Sequence, residues 1–306
     1  LFTLFIHKFK NSYGEYFISR NYDPSYPYLM NSLNLAQMKD YGVGLITHPG
    51  TPVQELGAIV IIVVNYFMSG DIIENVFSNP EIFLYRIFQT FLLMNFLALC
   101  LLGFTAYFML RSLTVALLLQ LTPFSFLTED IIFQLTNVSV EPMLVFAILI
   151  LISLILVYLN KNESRRNLIL YSAVFGLLCG FGMAVKITFL PVMIIPFLLL
   201  KKLKYKFLFT VISIFTFIVF IFPAISVANI TEFYSWIKNM FIHSGKYGMG
   251  EKEIIETSAY LENIKSIFTN NIIFSISYAL LGTIILLQLI KKYKETIRTS
   301  KYFLLI

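Results

Sequence analysis

Charge is scarce in this sequence: only 13% of its residues are Asp, Glu, Lys or Arg, while 58% are hydrophobic and the mean hydropathy is +0.79. Soluble domains carry about twice that share of charge, so the composition excludes a water-soluble globular chain. Cysteine is nearly absent as well. Cys100 and Cys179 both lie inside apolar runs, where they act as small hydrophobes and supply neither a disulfide framework nor a metal signature. No Walker loop, dinucleotide glycine fingerprint or zinc spacing occurs, which leaves no site for ATP or a nicotinamide. Repeats of fixed period and low-complexity tracts are also missing.

What the sequence does have is a series of long apolar runs. They are expected to cross a membrane at about 85–110, 112–126, 140–159, 167–183, 187–200, 207–228 and 271–290. Backbone groups in lipid must be satisfied within each segment, so the spans are helices and the chain is an all-α polytopic membrane protein, one transmembrane domain over 1–306. Residues 1–6 read as the tail of one span and 302–306 as the start of another, so the sequence is expected to continue at both ends. Two long loops separate the spans, 7–84 and 229–270. In the first, Asp23-Pro24 reads as an N-cap and first helical residue, opening a helix with Leu29, Leu33 and Ala36 on one face until Gly42 and Gly44 stop it. Thr51-Pro52-Val53-Gln54 reads as a capping box opening a second, apolar helix to about Met68, too short to span and expected to lie at the interface or re-enter.

The net charge of +6 does not point to nucleic acid, because its distribution is that of a topology signal. Basic residues gather in the loops at Arg111, 161–166, 201–206 and 291–301, where Glu163 and Glu295 are the only acids. That side is expected to be cytoplasmic. The opposite side then holds Asp23, His48, Arg86, the Glu129-Asp130 loop, Glu141 and Lys186, although none of these was used to choose the orientation.

Each of these residues has a chemical and a plain reading. Asp23 could take a proton from an attacking hydroxyl, or simply cap a helix. Tyr22, Tyr26 and Tyr28 suit a sugar-stacking surface or an interfacial aromatic belt. His48 could meet a metal or a phosphate oxygen, or be a polar turn residue. Glu141, in Glu141-Pro142, could be a second carboxylate near Asp23, or an acid placed favourably in a first helical turn. Lys186 and Arg86 could neutralise a phosphate at the membrane boundary, or snorkel from span ends. Asn137-Val138-Ser139 and Asn229-Ile230-Thr231 match the glycosylation sequon.

Taken together, the motifs Tyr22-Asp23-Pro24, His48-Pro49-Gly50-Thr51-Pro52, Glu141-Pro142-Met143-Leu144 and the Gly-rich stretch from Gly180 to Lys186 resemble the GT-C superfamily of polytopic glycosyltransferases, which includes the protein O-mannosyltransferases and the aminoarabinose and RgtA/B/C/D-like transferases. The resemblance covers roughly residues 15–200. It departs from the family where His48-Pro49-Gly50 replaces His-Pro-Pro and where a single acid stands at position 23. It implies a GT-C-like helical bundle whose first outer loop carries short interfacial helices. The implied activity is transfer of a sugar from a polyprenyl-phosphate donor to a lipid, glycan or protein acceptor, outside a bacterial plasma membrane.

In that scheme Asp23 and Glu141 are catalytic, with Asp23 as base. Lys186 meets the donor phosphate, and His48, Tyr22, Tyr26 and Arg86 contact substrate. Asp23 and Glu141 leave room for a divalent cation, but no ligand set demands one. The alternative reading is a polytopic transporter or lipid flippase without transferase activity, for which intramembrane charges and tight helix pairs are equally natural.

Overall fold

The computed structural model describes residues 1–17, 24–37, 50–160, 164–222, 230–241, 257–280 and a few positions up to 290. Tyr22, Asp23, His48, the glycines at 42 and 44, residues 229 and 242–256 of the second long loop and the C-terminal residues lie outside them. Among the described residues every regular element is helical.

Short helices come first. α1 (Phe2–Tyr13) buries Phe2, Ile6 and Lys10, one residue per helical turn. α2 (Ser25–Ala36) buries Leu29, Leu33 and Ala36, the face anticipated from spacing, but its N-cap position falls on Pro24 rather than Asp23. α3 (Thr51–Tyr66) begins one residue earlier than a Thr51 cap requires. Gly50, at φ +53°, occupies the cap, and the buried Thr51 hydroxyl is left without a partner, so no capping box forms. α4 (Ile72–Ser78) is capped by Asp71, whose carboxylate accepts from the Ile73 N–H at 2.9 Å.

α5 (Pro80–Leu110) starts earlier than expected, with proline at its first position and Glu81 in its first turn, and it ends at Arg111 in the left-handed conformation. Its 31 residues span roughly 46 Å at 1.5 Å per residue, well beyond a hydrocarbon core of about 30 Å, so one end projects. The projecting end is the N-terminal one. Asn95, fifteen residues in, donates to the carbonyl of Pro142 at the very start of the next long helix, α8 (Glu141–Leu159). α2, α3 and α4 pack around these outer turns. α3 rises from the end of the Gly-rich helix along α5, with one face on α2 and the other, Ile59, Val63 and Tyr66, exposed and apolar.

Among the described residues four helices are long and apolar enough to cross a membrane: α5, α8, α9 (Arg165–Val185) and α11 (Leu203–Ile221). α6 (Leu113–Leu121) and α7 (Glu129–Thr136) form a fifth if their 97° bend is taken as one broken span. α6 runs antiparallel to α5, since the Gln120 amide donates to the Leu99 carbonyl while Leu113 lies by Tyr107. The expected span at 187–200 is instead a 3₁₀ segment, Ile187–Met193, followed by α10 (Ile194–Leu199). α12 (Ile230–Phe241) and α13 (Thr257–Asn270) follow, and residues 272–280 are helical as well. Rows of exposed Phe, Leu and Ile along the outward faces of α5 and α11 are surface that only lipid can cover without penalty.

Chain direction fixes which groups share an end. α8 and α9 are antiparallel, joined at one end by Glu141 with Lys186 and near the other by the rings of Tyr158 and Tyr171. α9 and α11 are parallel, because Gly176 faces Phe209 and Ile212 while Gly180 faces Ser213 and Thr216. The residues between them must therefore return from Lys186 to the far end, where the Leu199 carbonyl accepts from the Tyr158 hydroxyl at 3.0 Å. The first seven of the thirteen residues at 187–199 are 3₁₀, which at roughly 2.0 Å per residue instead of 1.5 Å lengthens the return by about 3–4 Å. Arg111, Arg165, Lys201 and Lys202 consequently lie at the end opposite Glu141 and Lys186.

Two outcomes follow. A Cβ at Gly176 would stand 2.9 Å from the Phe209 carbonyl oxygen and 2.8 Å from the Ile212 Cβ, so Gly176→Val should lower stability by about 1–3 kcal/mol, read as a reduced unfolding midpoint in detergent. Cysteines at Ser12 and Ser164, both at exposed positions on opposite ends, should differ in intact cells: an impermeant thiol reagent labels Ser12→Cys and spares Ser164→Cys. The reverse pattern would put the Glu141 end in the cytoplasm.

Candidate functional site

Glu141 stands in the first turn of α8, where the helix dipole favours a carboxylate, and Pro142 behind it needs no hydrogen-bond acceptor. Lys186 ends α9 in an extended conformation, its own N–H returned to the Gly182 carbonyl. The ammonium of Lys186 lies 2.9 Å from the Glu141 carboxylate, and each side chain is a quarter exposed. Lys186 therefore does not snorkel alone. It is held across the α8–α9 gap with ammonium protons to spare, since one bond to Glu141 uses one of three donors.

A third motif meets this pair. The N–H of Gly50, at the left-handed turn that opens α3, donates to the carbonyl of Val185 at 3.2 Å. The turn following His48 is thus pinned to the residue preceding Lys186. Glycines make the approach workable: Gly182 lies flat against the Phe189 ring, and Gly176 and Gly180 bring α11 into backbone contact. The α3 face behind the turn carries Glu55, whose carboxyl burial pushes up to about 7.

Further out along α5 lies a second polar centre. Glu81 accepts the Tyr16 N–H at 2.8 Å, the Phe17 N–H at 3.0 Å and the Tyr26 hydroxyl at 2.9 Å. Burial and this bond push the Tyr26 phenol up to about 12. Lys10 sits 3.4 Å over the Tyr16 ring and donates to the Gly14 carbonyl at 2.6 Å; desolvation lowers its ammonium to about 8 despite the nearby Glu81 and Glu15. Lys10, Glu15, Tyr16 and Glu81 border a cleft of about 840 Å³, which Arg86 also lines.

Of the residues singled out from sequence, Glu141 and Lys186 are brought together, Tyr26 is bonded to Glu81, and Arg86 is exposed on the cleft with its guanidinium on Gln89 at 2.9 Å. Tyr28 is buried in the core rather than displayed in a belt. Asp23, Tyr22 and His48 lie outside the described residues. Asn137 is buried, so its sequon is closed to modification in the folded chain. Glu81, Tyr16 and Lys10 were not singled out, although Pro80-Glu81 carries a readable signal, a proline and an acid opening a helix. Among the described residues no three His, Cys, Asp or Glu side chains gather as a metal site requires. Comparison with protein-family models, with curated proteins and with solved structures finds no match for this chain.

Glu81→Ala should cost about 2–3 kcal/mol, because two backbone N–H groups and a tyrosine hydroxyl lose a charged acceptor. Thermal unfolding of the purified protein checks this. A midpoint equal to wild type would show that the clamp contributes nothing.

Proposed function

We propose that the protein is a membrane glycosyltransferase that takes a sugar from a polyprenyl-phosphate donor at the end of the bundle carrying Glu141 and Lys186. The observation that supports this most is the convergence of three separate motifs, with Lys186 2.9 Å from Glu141 and Gly50 bonded to Val185. The reading also rests on the resemblance of those motifs, in that order, to the GT-C glycosyltransferases.

In the proposed reaction the acceptor hydroxyl oxygen bonds to the anomeric carbon as the bond from that carbon to the phosphate oxygen breaks. The bonding electrons leave with the polyprenyl phosphate, and the hydroxyl proton passes to Asp23. Lys186 directs its remaining ammonium protons at the leaving phosphate, where a fixed cation in a poorly hydrated cleft stabilises charge as it develops. Glu141 positions that cation. A donor carried on a lipid enters through the bilayer, so no nucleotide site is needed.

The broken segments at 113–136 and 187–199 favour one rival, a carrier or lipid flippase, since discontinuous helices build the binding sites of many transporters. Against it, the ion pair lies where α8 begins and α9 ends instead of midway along them. Membranes containing the full-length protein, given labelled polyprenyl-phosphate sugars, distinguish the two: transfer moves label off the lipid, whereas translocation leaves it attached.

In that assay Asp23→Asn should reduce turnover at least ~100-fold with unchanged abundance and melting, because asparagine keeps the shape of the side chain but cannot accept the proton. Lys186→Met should slow transfer most at sub-saturating donor. Near wild-type transfer by the asparagine variant would remove the base from the mechanism.

A further inference from the structure

The cleft between the end of α1 and the outer turns of α5 is not used by the reaction above. Its volume of about 840 Å³ is large enough for a ligand of several rings. From α1 and the turn after it come Asn11, Glu15 and the buried Lys10; from α5 come Tyr85, Arg86 and Gln89. We infer that this cleft binds a neutral oligosaccharide and serves as the acceptor subsite, so that the acceptor is a glycan; the acceptor role rests on the proposed glycosyl transfer, the binding itself does not.

Three observations carry this inference. First, charge is balanced: Lys10 and Arg86 face Glu15 and Glu81, so the lining favours neither a polyanion nor a polycation. Second, the polar groups at the mouth are of the kind that holds vicinal hydroxyls. The Asn11 amide and the Glu15 carboxylate offer paired groups in a plane, the Arg86 guanidinium and Gln89 amide, joined to each other at 2.9 Å, keep N–H donors in reserve, and Tyr85 adds an aromatic surface for the apolar side of a sugar ring. Third, the site is built in advance. Glu81 ties down the chain at Tyr16 and Phe17, and Lys10 is locked over the Tyr16 ring, so little ordering remains to be done on binding.

Position agrees with an acceptor. Arg86 is nine residues before Asn95, which bonds Pro142 beside Glu141, and so stands roughly 13 Å further out along α5 than the ion pair. A chain of sugars held there projects its end towards Lys186 from the aqueous side, while the donor arrives from the bilayer.

The test uses the full chain, purified in detergent and fluorescently labelled, on an array of immobilised short oligosaccharides. Neutral hexose and N-acetylhexosamine oligomers stand beside phosphorylated and uronic-acid oligomers. We expect retention on at least one neutral oligomer, competed by the same oligomer free in solution and weakened at least about tenfold by Arg86→Gln and by Glu15→Gln, both exposed positions whose substitution leaves the melting midpoint unchanged. Failure to bind any neutral oligomer, a preference for the anionic ones, or variants that bind as wild type would overturn the inference. No donor is present, so the two readings fail separately. Saccharide binding without sugar transfer removes only the proposed activity, whereas sugar transfer without saccharide binding removes only the acceptor subsite.

Discussion

The close parallel packing of α9 on α11 is the constraint on which the rest of the bundle depends. Two consecutive helices can lie parallel only if the chain between them travels back the length of the bundle, and here thirteen residues do so. Gly176 and Gly180 allow the approach, because any side chain at either position would meet α11 backbone. The first seven residues of this short return take a 3₁₀ form, stretched relative to an α-helix, with Pro191 inside it. As a consequence Lys186 is left at the turn, released from helix geometry and reaching across to Glu141.

A second device governs the layer outside the span ends. Glu81 collects two backbone N–H groups and a hydroxyl, giving otherwise irregular chain around Tyr16 a fixed course. Such a carboxylate replaces the regular hydrogen bonding that loops lack. The projecting turns of α5 serve as the post around which α2, α3 and α4 assemble, and the polar cleft exists because α1 ends beside that post.

Much of this was legible in the sequence. The apolar runs announced α5, α8, α9 and α11, since hydrophobic length is a local property and lipid admits only satisfied backbone. Basic residues marked Arg111 and the stretches at 164–166 and 201–206, which the structure places at one end. Less local features were misjudged. The segments at 112–126 and 187–200 read as spans, because a 3₁₀ stretch and an α-helix share the same apolar composition. The helix starts at Thr51 and Ser25 each differ by a residue from the expected ones, as caps are decided by backbone conformation within a fold rather than by the preferences of Thr51 or Asp23 alone.

For the candidate site the division is similar. By itself the sequence determined that the chain carries apolar helices suited to a membrane and placed the four longest, α5, α8, α9 and α11, because composition and run length measure the cost of exposing each segment to water. It also marked Glu141 and Lys186 as charges at helix ends. Only the tertiary structure decided that they meet, that Gly50 is tied to Val185, and that Lys10, Glu81 and Arg86 share a cleft. Those contacts join residues 45, 135 and more than 70 positions apart, and the direction of α11 relative to α9 is set by side-chain volume at a few glycines, a quantity without periodicity along the chain.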